Sequence, residues 1–554
     1  MGLIPYRNVG SRGINFDLRA NQLAPEEWTD ARNVRFDNNR VIKDNAFRYV
    51  GETTPGLAPA VTPHFISLFR NPTEAFWLFA GLAAVYGFAD TNDPAAPTDL
   101  TRVSGAYTTA VRDRWQSCMF NGVGILNNGR DAPQVWSPIA LATPLIDLTN
   151  WPASYTARVI RPYLNFLVAL DVTKSSGTRY PILVKWSHSA DPGTIPTSWD
   201  ETDPTNDAGE QILADGPYTL IDAEPLGGSL LLYTEQTTWA MTFIGGVYKF
   251  SFQKVFAQLG LMAQGCAVAF GNKHFVVTRD DVVVHDGHNF ESVADKRVRK
   301  YLYDTIPAVA VDRTSNPVID ADAKLNVFVT PQYTRSEMWL SFPISGESII
   351  RQALVWNWKF NTWTYREIPA CYFAHSELPV PSSAGDTWDE DTSTTWDGES
   401  TLIWDDPSFV RFREKFYLAR AEPTAAILEY NREVFTDQDE EAYRSYVERR
   451  GLIPIGLNRD GSLAESRSGI KFIKGLWLTI NGSPGITIEV YIAAYDVPDA
   501  EPTFSGPYNY VVGTTDYIET YQTGRFFALR IEETDVNYWE LIEYQLDIIP
   551  ISER

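Results

Sequence analysis

The chain has three cysteines in 554 residues, Cys118, Cys266 and Cys371, far apart and each among apolar or aromatic neighbours. Such spacing supplies neither a disulfide framework nor a zinc site, and it reads as buried thiols of a protein made in a reducing cytoplasm. Positive charge is scarce too: 47 Lys and Arg stand against 70 Asp and Glu, a net charge of −23. That balance argues against a basic grip on nucleic-acid phosphates. No apolar run is long enough to span a bilayer, and Met1 to Gly10 has no apolar core of a leader, so neither a transmembrane helix nor a signal peptide is expected. Also missing are the Gly-x-Ser-x-Gly elbow, a phosphate-cradling Gly-Lys-Ser/Thr loop, His-Glu-x-x-His and the Rossmann glycine pattern. No catalytic residue, cofactor or metal ligand is assigned, and the chain is not expected to be an enzyme.

Aromatic and β-forming residues are plentiful. Hydrophobic residues at 44%, with 17 Trp, 27 Tyr and 29 Phe, can bury a large core. Gly and Pro are scattered throughout, and Val, Thr, Tyr and Trp gather in short runs closed by turn residues, so the fold class is mainly β. The clearest pattern lies between Leu226 and Lys300. Gly228 to Phe243 and Gly271 to Gly287 each hold an apolar run ending in Thr (Thr234, Thr278), a short polar turn and a returning apolar run. These are hairpins about 44 residues apart, the step of a β-propeller blade. Similar pairs recur from about residue 60 to 370, with Asn121-Gly122 a strong turn signal, and predict five to seven antiparallel blades.

The expected organisation is an N-terminal arm with first strands over 1–55, a propeller over 56–435, and a linker with a C-terminal β-sandwich over 436–554. Within the arm, Ala24 to Val34 reads as a short turn of helix leading into a strand from Val34 to Phe36. The arm is either a first strand of its own domain or a segment added to a neighbouring subunit. The charged stretch 437–450 meets Gly451-Leu-Ile-Pro454 at the preferred domain junction. The last hundred residues alternate in runs such as Leu476–Ile480 and Trp539–Ile548, as a sandwich with one wet face per sheet requires.

Two clusters invite chemistry. Asp281, His285, Asp286 and His288 include a His-x-x-His spacing with flanking carboxylates, but strand alternation turns His285 inward with Val283, which favours a satisfied structural histidine. The insertion 376–408 repeats Trp-Asp at Trp388, Trp396 and Trp404, a step of about eight residues. Its carboxylates could serve glycoside cleavage, or Asp386, Asp389 and Asp391 a calcium ion. The spacing lacks the ligand pattern of an EF-hand loop, and the regular step favours solvated structural turns.

Gly13 to Asp17 with Trp28 to Arg35, Asn127 to Gln134, Val184 to Pro192 with Trp199-Asp200, Tyr233 to Trp239, Asp280 to Gly287 with Arg297-Val298-Arg299, and Thr523 to Arg530 together resemble the tail hub or nozzle (tail tubular) proteins of short-tailed bacteriophages. The resemblance touches nearly the whole chain and contains no catalytic signature. It implies a virion tail protein, made in the bacterial host cytoplasm: a propeller-containing subunit in a homo-hexamer. Its implied partners are the adaptor ring under the portal, tail fibre or spike proteins, and double-stranded DNA in transient, non-specific passage. An acidic channel wall would let DNA slide without sticking. A carbohydrate-binding or glycan-cleaving propeller is the alternative expectation.

Overall fold

The computed structural model of the chain describes residues 2–50, 61–90, 96–110, 113–214, 216–303, 326–343, 350–368, 372–379, 412–421, 425–430, 443–457, 463–465, 469–498 and 500–552. Among the described residues, six four-stranded antiparallel sheets and the first four strands of a nine-stranded sheet form the seven blades of a β-propeller. Their innermost strands are Phe65–Arg70, Gln116–Phe120, Thr156–Tyr163, Leu220–Leu226, Ala267–Phe270, Phe328–Gln332 and Tyr372–Pro379. Each lies beside the next, and the seventh lies beside the first, so the ring closes.

The blades adhere because strands buried on both faces read as continuous apolar runs. Phe76 to Ala80 and Leu167 to Leu170 are buried without interruption, and every such run packs against its neighbours in the ring. Phe69 and Trp136 join blades one and two, Leu170 and Leu232 join three and four, and Trp77 stacks near Tyr417 where seven meets one. Polar ties cross the same seams: Arg161 reaches Asp222 at 2.8 Å, and Lys415 reaches Asp90 at 2.5 Å.

The seventh blade is built from both ends of the domain. Its outer strand is Phe47–Tyr49, paired antiparallel with Ala426–Tyr430. Closing a ring with an early strand on a late blade removes the edges that would otherwise be exposed.

Residues 470–552 form a two-sheet sandwich into which the rest of the N-terminal segment is woven. One sheet runs Val34–Asp37, Arg40–Lys43, Trp539–Ser552, Ile470–Gly482, Tyr517–Gly524, with Gly2–Tyr6 also on Trp539–Ser552. The other continues from the outer strand of blade six, Thr362–Glu367, through Asp30–Arg32, Ser445–Leu452, Phe526–Glu533 and Thr487–Tyr495 to Ser505–Val511. Propeller and sandwich thus share one sheet, and the strands of 1–50 pair within their own chain. Ile470–Gly482 alternates buried and uncovered residues, leaving one wet face.

Two local expectations are corrected. No helix forms at Ala24 to Val34: Glu27 closes a turn onto Ala24, a three-residue 3-10 turn sits earlier at Ala20–Gln22, and strands follow. The apolar residues there serve long-range packing, as when the Trp28 indole donates to the Val9 carbonyl at 2.6 Å. Gly451 lies inside strand Ser445–Leu452, with φ +67°, and marks no domain junction. A Cβ there would meet Ala20 backbone at 2.4 Å, so glycine allows the strand to pass under the 3-10 turn. Among the described residues no helix is long and apolar enough to cross a membrane.

Candidate functional site

The histidine cluster is the first place the sequence points to. His285 ends the third strand of blade five, Val282–His285, and is buried together with Val283. Its partner across the pair is His274, and between the two rings sits the hydroxyl of Tyr233 from blade four. Tyr233 Oη lies 2.6 Å from His274 Nδ1 and 2.7 Å from His285 Nε2. The outer contacts fix the protons. Gly287 N–H donates to His285 Nδ1 at 3.2 Å, so Nε2 carries the hydrogen. His274 Nε2 faces the Pro225 carbonyl at 2.9 Å and donates to it, which leaves Nδ1 as acceptor. The chain therefore runs Gly287 to His285 to Tyr233 to His274 to Pro225, each group before the Pro225 carbonyl donating once and both rings neutral. Burial pushes His285 down to about 4, aided by the neighbouring His274, and lowers His274 as well. The Tyr233 phenol is driven well above its usual range by burial and stays protonated.

The remaining members of the predicted cluster do not join it. Asp281 stands at the other end of the strand, capping Val282 N–H and accepting from Ser292. Asp286 caps a turn through the backbone of His288 and Asn289. Among the described residues, no group of three or more His, Cys, Asp or Glu could hold a metal ion. The Trp-Asp repeats and Asp386, Asp389 and Asp391 lie outside the described residues, as does Cys371. Cys266 is buried, and Cys118 is partly covered.

Sequence reasoning missed a buried ionic knot where propeller meets sandwich. Asp44 accepts from Arg335 at 3.0 Å and from the Tyr430 hydroxyl at 2.5 Å, and it forms an ion pair with Arg366 at 3.1 Å. Arg366 also donates to the Asn45 carbonyl, and Tyr443 donates to that of Asp44. One residue before, Lys43 and Glu533 meet at 2.5 Å with both side chains fully buried. The two arginines hold the Asp44 carboxyl down at about 2 against the opposing effect of burial. Nearby Glu337 is pushed up to about 7 by burial and by Asp44. No local signal marks these residues, because their partners come from four separate stretches of chain.

The surface is sided. Strands alternate in direction, so the turns after each first strand and after each third strand share one face of the propeller. On that face the tips of neighbouring blades carry large uncovered apolar side chains: Leu164 on blade three, Phe243, Ile244, Val247 and Tyr248 on blade four, and Phe290 on blade five. Val247 is 93% exposed and Tyr248 79%. Their placement is rigid at the base. Tyr163 Oη donates to the Gly228 carbonyl at 2.7 Å and accepts from Phe243 N–H at 3.2 Å. The opposite face bears a cleft of about 710 Å³ beside the helix Arg299–Tyr303, where Arg279, Lys296, Arg299 and Lys300 mix with Asp17, Asp280 and Asp295. Asp17 accepts the N–H groups of Lys300 and Tyr301, and burial raises its carboxyl to about 6.

No family model matches the chain, and no curated protein does. Among solved structures, a WD40 domain of coronin from Toxoplasma gondii is similar at 9% identity over 73% of this chain and 88% of its own, with a TM-score of 0.34. A protein described as exported, from Bacteroides fragilis, is similar at 8% identity over 58% of this chain and 75% of its own, with a TM-score of 0.24. Likenesses this distant do not bear on function, and the propeller rests on the blade geometry itself.

Proposed function

We propose that the chain is a structural subunit of a short bacteriophage tail, a nozzle or hub protein. Six copies form a ring that joins the adaptor under the portal and forms or gates the channel for genome ejection. The reading begins from the ordered sequence resemblance. Its segments fall on turns and strands that set blade and sandwich geometry, as with Asn128, whose side chain caps Arg130 and Asp131 in the turn after the second strand of blade two.

The observation that carries it is the one-sided row of apolar turn tips from Leu164 to Phe290. Large apolar side chains gathered uncovered on one face mark a contact site, and a closed ring of identical subunits needs unlike surfaces that meet head to tail. The exposed tips of blades three to five supply one such surface. An adaptor or a neighbouring subunit is the partner they fit.

Particle mass tests this. Six subunits of 62.4 kDa make a particle of about 374 kDa, and the double variant Val247→Asp, Tyr248→Ser should weaken or abolish it while leaving strand content unchanged. A chain that stays monomeric at every concentration, alone and with adaptor, refutes the ring. A ring that survives the double variant refutes the role of the tips.

A further inference from the structure

The wet face of the sandwich sheet carries aromatic rings among its charged residues, Glu519, Asp547 and Lys474, the last with its ammonium 5.9 Å from the Tyr517 ring centroid. Register sets them in rows. Trp477 pairs with Tyr517 on one side and Gln545 on the other, Gly475 with Glu519 and Asp547, and Phe472 with Thr523. Paired residues project to the same side of a sheet. Trp477 is 41% exposed and Tyr521 56%.

The rings form two sets. Trp477 and Tyr517 have centroids 5.1 Å apart, and Phe472 stacks with Tyr521 at 6.2 Å and 23°. Five positions and one bulge separate Phe472 from Trp477, so the sets stand roughly 13 Å apart along the strand. Gly475 lies between them for a reason. A Cβ there would come within 2.2 Å of the Ile518 carbonyl and 2.6 Å of the Tyr517 ring, so its absence lets the neighbouring strand and that ring both approach. Tyr517 then donates to Asp547 at 3.3 Å, and Tyr521 donates to Glu519 at 2.7 Å. Both phenols are held by carboxylates that keep further acceptor positions free, a pre-oriented arrangement that loses little freedom on binding.

These features select one kind of occupant. Ring faces are electron-rich and take polarised C–H groups. The carboxylates beside them take hydroxyl donors and repel anions. A second copy of this chain, net charge −23, would have to bury Glu519 and Asp547 against a surface of net negative charge, at a desolvation cost. We propose that this sheet face binds a neutral polysaccharide, its sugar rings stacking on Trp477 and Tyr521 and its hydroxyls donating to Glu519 and Asp547. The inference is independent of the tail reading, since it needs the sandwich face alone.

Native electrophoresis of the full chain through gels containing soluble dextran, galactomannan or laminarin tests it. At least one of these neutral glycans should retard the protein, and raised salt should leave the retardation unchanged. Trp477→Ala and Tyr521→Ala should each weaken it, and together they should reduce apparent affinity roughly tenfold or more. Both side chains project from the sheet, so unchanged far-ultraviolet dichroism and an unfolding midpoint close to the native one confirm that the single variants fold. Absence of retardation by all three glycans overturns the proposal, as does full retardation of both single variants. Retardation that salt abolishes also overturns it, by marking a charged ligand.

Discussion

Replacing Tyr233 with Phe removes one oxygen from the relay between blades four and five and leaves the rest of the ring in place. The two imidazoles are then stranded: His285 keeps an Nε2–H with nothing to accept it, and His274 keeps a bare Nδ1. Neither can escape by changing tautomer, because Gly287 N–H and the Pro225 carbonyl hold the opposite nitrogens. Tyr233 and His274 are 0% exposed and His285 1%, so water does not replace the lost partner cheaply. An unsatisfied buried polar group costs about 1–3 kcal/mol, and two of them together about 2–6 kcal/mol. Local opening then becomes more frequent by about 30-fold or more, which amide hydrogen exchange of Phe275–Val277 and Val282–His285 reads directly. Acid supplies a second readout. The folded His285 titrates near 4 against an ordinary 6.5, so the folded state binds fewer protons than the unfolded chain between those values. Stability is full above pH 6.5 and declines as pH falls toward 4, by about 3 kcal/mol at most, with His274 acting in the same direction. Exchange that changes less than about threefold in Tyr233→Phe, or stability that stays flat from pH 7 to 4, would refute the relay as drawn.

At the knot between propeller and sandwich, Asp44→Asn leaves Arg335 and Arg366 buried with half their counter-charge gone, and should cost about 3–5 kcal/mol in thermal or denaturant unfolding. The contribution of Asp44 is fully present above the ordinary carboxyl value of 3.8 and is lost as pH falls through about 2. Glu337 has the reverse sign, since its folded value is raised to about 7. Glu337→Gln should therefore gain stability over the native chain as pH rises from about 4.5 to 7 and hold that gain above 7, measured as a difference in unfolding midpoint. Deleting residues 2–50 removes the outer strand of blade seven and four strands of the sandwich. The product should be cut rapidly by trypsin at Lys415 and Arg420 of blade seven, which are buried in the intact chain.

Much of the propeller is written locally. Asn121 and Gly122 take the positive φ values of a tight hairpin turn, and Thr234 and Thr278 each cap the turn that follows them. The blade number was harder to read because the innermost strands begin at 65, 116, 156, 220, 267, 328 and 372, an uneven step. Long connections stretch it, such as 187–208 in blade three. The seventh blade borrows a strand from the other end of the domain, which no periodicity can report. His285 was legible as structural because strand alternation turned it inward, but Tyr233 and His274 were not linked to it, since hydrogen bonds between blades leave no spacing rule. Gly451 misled because glycine before Leu-Ile-Pro resembles a linker, whereas its job is to let two backbones touch. The N-terminal pairing was ambiguous for a similar reason: an alternating strand states which face it buries and says nothing of whose sheet it joins.

The weave of residues 2–49 into the end of the chain also sets an order of events in time. Phe47–Tyr49 leaves the ribosome early, yet its partner Ala426–Tyr430 follows some 380 residues later, and Lys43 waits for Glu533, 490 residues on. At roughly 5–20 residues per second, the leading segment spends about 20–100 s without its final neighbours. Blades one to six can stack as they emerge, each on the one before. Ring closure waits for Ala426–Tyr430 and the sandwich for Trp539–Ser552, so a product truncated before residue 426 can complete neither. The chain thereby finishes its surfaces in order: those that depend on the closed ring come first, and those that depend on the sandwich only once its last strand has been made.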